Sequence, residues 1–233
     1  GYEFDGDFRK IGSEAILIRP VDNSQHPLQD ELSASDFITH KSFESKLDEV
    51  GWVSKKIRND IKKEEIRPDK ILVLPLSKSK RSGKKNMDFV ADKLADNLEP
   101  EGIEINRVWE ENDKKFAKDG EVTLSGIRRA KGNEAASVYV LGLDSVTEEG
   151  WRNKPEVHRR NQLFVALTRS RAWVSLTGTN PTNSIHSEVN KIVEEIRPPS
   201  PEVTFEVPKK DDLTNELESD TKDINNTKLD DYL

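Results

Sequence analysis

The residues best suited to chemistry lie in two short stretches. In VTLSGIRRAKGNEAASVYVLG, residues 122 to 142, an apolar strand-like run ends in a glycine and the cations Arg128, Arg129 and Lys131, and a second strand-like run follows. In open α/β sheets ligands bind in the crevice beyond the carboxyl ends of the strands. Cations and backbone N–H groups at such a turn suit a phosphate-bearing ligand; an ordinary basic surface loop is the alternative. The second stretch, RRNQLFVALTRSRAWVSLTG at 159 to 178, reads as a helix carrying Leu163, Phe164 and Leu167 inward. Thr168 and Arg169 stand near its end and a strand follows directly.

The elements that must position these residues alternate in type. SEAILIRPV (13 to 21), KILVLPL (70 to 76), IEINRVW (103 to 109), EVTLSGI (121 to 127), ASVYVLGL (136 to 143) and AWVSLTG (172 to 178) read as strands. Their Val, Ile and Leu runs lack strict alternation, as strands buried on both faces do. Between them, 42 to 64 places Phe43, Leu47, Val50, Val53, Ile57 and Ile61 at helical spacing, with Ser42 as the expected N-cap and Glu44 in the first turn. Further helices are expected at 86 to 98, 157 to 171 and 184 to 196. Strands alternating with helices predict an α/β domain, a mostly parallel sheet flanked by helices.

Taken together, IRRAKGNEAASVYV and NQLFVALTRSRAWV resemble motifs V and VI of superfamily 1 helicases of the UvrD/Rep type, in order, spacing and strand-turn-helix context. More weakly, RPDKILVLPLSKSK resembles the strand that opens the central part of the second motor domain in that family. GYEFDGDF with ILIRPVDNSQHPL resembles a subgroup in which the motor can follow a nuclease-related region. The resemblance implies a RecA-like, P-loop-NTPase-type fold over 1 to 196 that acts as the C-terminal motor domain of an ATP-dependent DNA helicase or translocase. Two such domains sandwich ATP, and Arg169 matches the arginine that reaches the γ-phosphate. Such fingers are worth about 10³ to 10⁵ in rate; a surface arginine capping the helix end is the alternative. Gly132 and Glu134 match positions that face the nucleotide, and Lys131 matches the family's lysine, although Glu134 could instead pair with a neighbouring cation and Lys131 could be an ordinary exposed charge. Where this chain has Arg128 and Arg129, many members have His and a hydroxyl residue, in a segment associated with DNA contacts. Arginine can still bind a phosphate. Ser125 is either a further hydroxyl donor to the DNA backbone or simply the end of a strand.

No G-x-x-x-x-G-K-[ST] loop occurs, since RSGKKN lacks the first glycine, the hydroxyl and a preceding strand. No acidic pair follows an apolar strand. ATP and Mg²⁺ are therefore expected to be shared with an upstream P-loop motor domain of the same polypeptide, and the chain alone is expected not to turn over ATP. A first residue of Gly fits a piece of something longer. By the resemblance the expected track is single-stranded DNA; the sequence does not exclude RNA. A nucleic-acid-binding or regulatory module that keeps the fold without catalysis is the competing reading.

Charge is unevenly spread over the 233 residues. The formal net charge is −7, and 199 to 233 hold ten acidic and four basic residues, so all but one of the net negative charges lie there. A nearly neutral body with basic clusters can still bind anions locally. The segment 197 to 233 is rich in proline at its start and polar after it, which predicts a disordered acidic tail that could also carry a short partner-binding motif around LDDYL. With no cysteine, disulfides and thiolate metal sites are excluded. The histidines, His26, His40, His158 and His186, lack metal-ligand spacing. No run long enough to span a membrane occurs, so nothing points to a membrane; a cytoplasmic location is a default expectation only. KSKRSGKKN (78 to 86) either tracks a nucleic-acid backbone or is a solvated loop. Of Trp52, Trp109, Trp151 and Trp173, only Trp151 stands in a polar loop suited to base stacking.

Overall fold

A computed structural model describes residues 3–7, 10–18, 20, 33–76, 80–108, 115–147, 156–195 and 202–206. In chain order the elements are β1 (Glu3–Gly6), β2 (Glu14–Ile18), α1 (Ala34–Phe37), β3 (Ile38–Phe43), α2 (Lys46–Lys62), β4 (Ile71–Pro75), α3 (Lys80–Leu98), β5 (Glu104–Arg107), β6 (Glu121–Leu124), α4 (Ile127–Ala130), β7 (Ala135–Leu141), α5 (Glu156–Leu167), β8 (Ser170–Thr179), α6 (Ser184–Glu195) and β9 (Glu202–Glu206). They fall into two compact units, one of Gly1–Ala34 with Glu194–Leu233 and one of Ser35–Val193.

The first unit holds a three-stranded antiparallel sheet in the order β1-β2-β9. Ile16 pairs with Asp5 on one side and Thr204 on the other. This division differs from a body of 1 to 196 followed by a tail. The 13 to 21 run forms a strand, but outside the parallel sheet, and part of the expected tail, Glu202–Glu206, is its neighbour. The rest of that segment, 197 to 201 and 207 to 233, lies outside the described residues.

The second unit is a six-stranded parallel sheet in the order β3-β8-β7-β4-β6-β5. Helices cover both faces, the arrangement expected of a RecA-like domain. Alternate residues of β4 show why. Ile71 and Val73 face Val50, Val53 and Ile57 of α2 and Val90, Ala91 and Leu94 of α3. Leu72 and Leu74 face the opposite side, with Val138, Val140 and Leu176, against Leu163 and Ala166 of α5 and Ile185 and Val189 of α6. Each such side chain removed from water contributes about 1.5–3 kcal/mol, so the ILVLP run is held by apolar contacts above and below.

Helix α2 starts three residues later than its sequence suggests. Ser45, not Ser42, is the N-cap, with extended backbone and an Oγ that accepts the Asp48 N–H at 3.2 Å. Ser42 belongs to β3, paired with Gly178. Helix α3 starts earlier than expected, at Lys80, so the basic stretch continues as helix where its composition suggests a backbone track or a loop. Asn86 within it ties back to the strand end, its Nδ2 donating to the Leu76 carbonyl at 3.0 Å. Among the described residues no helix is long and apolar enough to cross a membrane.

Candidate nucleotide and nucleic-acid site

The crossover from β6 to β7 carries most of the expected site. Ser125, at the end of β6, is fully buried; its N–H donates to the Val73 carbonyl at 3.1 Å and its hydroxyl to the Gly126 carbonyl at 3.2 Å. This placement corresponds to the strand-end role. The single turn α4 is anchored by Ala130, fully buried, and Ile127, packed on the same apolar cluster as α5. Arg128 and Arg129 are thereby turned outward and exposed, and Lys131 follows them into solvent. Gly132 has φ +88°, a left-handed backbone that a side chain strains, although a Cβ there would meet nothing within 4 Å. Glycine is required at this turn for its dihedral and not for space. The turn closes with the Asn133 N–H donating to the Ala130 carbonyl at 3.0 Å, and Glu134 emerges exposed just before β7.

At the far end of α5, Leu163 and Ala166 are buried. Phe164, expected inward, is 65% exposed and lies on the outer face of the helix. Arg169 is folded back on its own helix. Its Nε donates to the Val165 carbonyl at 3.0 Å and its Nη2 to Thr168 Oγ1 at 3.1 Å, while that hydroxyl donates to the same carbonyl at 3.0 Å. Two side chains thus cap one orphan carbonyl of the helix C-terminus, the alternative that the sequence left open for this arginine. The strand then bulges: Ala135 pairs with Ser170 but Ser137 pairs with Trp173, so β8 carries one extra residue there. A bulge re-aims the side chains around it.

The two stretches meet at one point. The Ala135 N–H donates to the Arg169 carbonyl at 3.0 Å, which puts Glu134 and Arg169 on adjacent strand starts. Arg171, which the sequence did not single out, stands opposite Glu134, with Nε 3.9 Å from Oε2 and both side chains more than half exposed. Such a pair contributes little to stability. Gly132, Glu134, Arg169 and Arg171 therefore share one end of the sheet. Ser125 does not: Thr123 and Val138 both register on Leu72, which makes Ser125 level with Val140. That is five residues, about 16 Å along the strand, from Ala135. Arg128, Arg129 and Lys131 lie on the segment that spans this distance. Trp109 and Trp151 lie outside the described residues; Trp173 is 47% exposed.

A polar cluster that sequence reasoning missed closes the opposite strand ends. Glu49 is 2% exposed, and its Oε1 accepts from the Gly142 N–H at 2.9 Å and the Thr177 hydroxyl at 2.8 Å. Burial pushes its carboxyl up, against those two hydrogen bonds, which lower it. Asp144 Oδ1 accepts from the Thr179 N–H at 2.6 Å. His186 donates through Nε2 to the Thr179 carbonyl at 2.9 Å, and its Nδ1 lies 2.8 Å from His40 Nε2. His40 Nδ1 in turn lies 2.7 Å from Asn190 Oδ1. Glycines at strand ends, Gly142 and Gly178, were the only sequence signal: a Cβ on Gly178 would lie 2.8 Å from Asp144 Oδ1 and 3.0 Å from His186 Cε1. Among the described residues no group of three or more His, Cys, Asp or Glu is placed to hold a metal ion.

Residues 121–177 match the model of a family described as the UvrD-like helicase C-terminal domain. The match runs from the first residue of β6 to Thr177, and so covers the crossover, α5 and most of β8. This part of the chain is of the UvrD-like helicase C-terminal type. No curated protein matches the chain. Among solved structures, the crystal structure of the C-terminal domain of a possible DNA helicase from Lactobacillus plantarum WCFS1 is similar at 14% identity, covering 66% of this chain and 81% of that one, with a TM-score of 0.48.

Proposed function

We propose that the chain is the C-terminal motor domain of an ATP-dependent superfamily 1 DNA helicase or translocase, acting with a P-loop domain upstream in the same polypeptide. One observation carries this reading: the Ala135–Arg169 backbone bond joins the two helicase-like segments, so Glu134 and Arg169 project from one end of the sheet. In this reading Arg169 exchanges the Val165 carbonyl, a bond worth about 1 kcal/mol, for γ-phosphate oxygens. Its planar guanidinium stabilises the charge that develops there in phosphoryl transfer. Glu134, exposed and only loosely paired, accepts from the ribose hydroxyls. Lys131 and the Gly132 backbone approach the phosphates. In this reading the P-loop domain supplies the Mg²⁺ ligands; among the described residues no group of carboxylates placed to hold a metal ion is found.

Arg128 and Arg129 bind phosphates of single-stranded DNA, with Ser125 fixing the root of the crossover by its buried bonds. Because Ala130 anchors the segment midway, a shift at Ala135 is carried toward the DNA-binding arginines, and closure of the ATP cleft moves the domain along the strand.

The test is single-strand-stimulated ATP turnover of the polypeptide that includes the P-loop domain, wild type against Arg169→Ala. A collapse of turnover with nucleotide binding retained is expected. Unchanged turnover would leave the competing reading, a nucleic-acid-binding module without catalysis, which the capping geometry of Arg169 favours.

A further inference from the structure

The edge strand β3 leaves part of one sheet face uncovered. Ile38 packs on the α5–α6 side, so Thr39, Lys41 and Phe43 point to the α2 side. Phe43 and Trp52 of α2 meet at a ring centroid distance of 5.9 Å, tilted by 49°. Lys41 Nζ stands 5.6 Å from each ring centroid, within cation–π range. Along α2, residues 52, 55, 56, 59 and 63 share a flank at helical spacing, adding Lys55, Lys56, Asn59 and Lys63. At the other end, Trp173 pairs with Ser137, whose hydroxyl donates to Asp60 of α2, so Trp173 belongs to this same face.

The charge on this flank is positive. Lys41, Lys55 and Lys63 make no ion pair among the described residues, and Lys56 is held 2.5 Å from Asp60, whose side chain is only 3% exposed. Asp48, at the helix start, is engaged by Ser45 Oγ at 2.7 Å. From Thr179, the partner of Phe43, to Trp173 is six residues of β8, about 20 Å. That is the length of roughly six stacked nucleotides.

We propose that this flank, from Phe43 and Trp52 to Trp173, is a second track for single-stranded DNA, distinct from the β6–β7 crossover. Lysines neutralise phosphates, and aromatic rings at either end stack bases without regard to sequence. The proposal rests on the nucleic-acid reading above, and adds to it a site on another part of the same unit.

The experiment is fluorescence anisotropy of labelled oligothymidylate with the full chain over a salt series. Lys41→Glu/Lys63→Glu changes two half- or fully exposed side chains, and a circular dichroism melt confirms its fold. Affinity is expected to fall at least tenfold, with the salt slope reduced by about 0.7 for each phosphate that is no longer neutralised. Lys41→Arg/Lys63→Arg is expected to stay within about twofold, and Trp173→Ala to weaken binding about tenfold. Affinity unchanged in the charge reversal overturns the track. If only Arg128→Ala/Arg129→Ala weakens binding, the track falls while the motor reading stands. If the reversal spares DNA affinity but speeds proteolysis within 207 to 233, the flank holds that acidic segment instead. A wild-type chain that binds no oligothymidylate also overturns the track, and the Arg169→Ala turnover assay then judges the motor reading separately.

Discussion

The backbone N–H of Ala135 reaches the carbonyl of Arg169 at 3.0 Å, and with that bond the start of β7 fixes the residue that ends the α5 turn. The geometry at Gly132 is upstream of it. At φ +88° with open space around the missing Cβ, Gly132→Ala adds strain without collision. We expect a loss of about 1–2 kcal/mol, a fall in Tm of roughly 2–8 °C, and a smaller loss for Gly132→Asn. Calorimetry of the three chains checks this.

Gly178 presents the opposite case. An added methyl would sit 2.8 Å from Asp144 Oδ1 and 3.0 Å from the Asp144 backbone nitrogen, so the neighbour cannot simply swing aside. Gly178→Ala is expected to cost about 1–3 kcal/mol through overpacking. A shifted urea midpoint with an unchanged slope is the signature; an unchanged midpoint would mean that the Asp144 loop yields freely.

Glu49 gives stability an unusual pH dependence. Its carboxyl is raised above 4.5 by burial, so the folded chain holds this proton more tightly than the unfolded one. The contribution is present below the unfolded value and is lost as pH rises through the folded value. Glu49→Gln keeps an oxygen for Gly142 and Thr177 and removes the ionisation. Denaturation midpoints measured from pH 4 to 8 should lose this downward slope, and the variant should equal or exceed wild type at pH 7.

His40 acts with the other sign. Burial, first, and then the neighbouring His186 lower it from 6.5, with the Asn190 hydrogen bond working against them. Its contribution is complete above pH 6.5 and is lost as pH falls through the folded value. A His40→Gln variant should therefore lose less stability than wild type between pH 7.5 and 5, measured by the same midpoints. A steeper acid loss in the variant would contradict this assignment.

The central strands were legible because β4 and β7 are apolar runs with both faces covered. Ile38–Phe43 was not, since Thr39, His40, Lys41 and Ser42 make an edge strand look like a loop. Strands β1 and β9 were missed because each is only four or five residues long, and β9, although Val203 and Phe205 alternate with polar residues, stands inside a proline-rich acidic segment; β1 is wholly exposed. Helical spacing placed Phe164 inward because periodicity gives a stripe but not its width, and α5 turns Leu163, Ala166 and, in part, Leu167 to the core while Phe164 stays outside it. The candidate residues were chosen from their types, whereas their grouping was not legible. The Ala135–Arg169 bond is a matter of strand register, and Arg171 acquires its place opposite Glu134 only from the bulge in β8. The Glu49 cluster joins residues from α2, β8 and the turn just after β7, a convergence invisible in a one-dimensional reading.

The pairing of β3 with β8 bears on how the protein is made. His40 of β3 and His186, just beyond β8, are 146 residues apart in the chain. At about 5–20 residues per second, the ribosome completes β3 and then takes roughly seven to thirty seconds to deliver the strand that will lie beside it. Throughout that interval β3 has no sheet neighbour. Its alternation of Thr39, Lys41 and other polar groups is the composition that keeps a waiting strand from pairing with the wrong chain, so the nascent polypeptide carries its own protection until synthesis reaches Thr179.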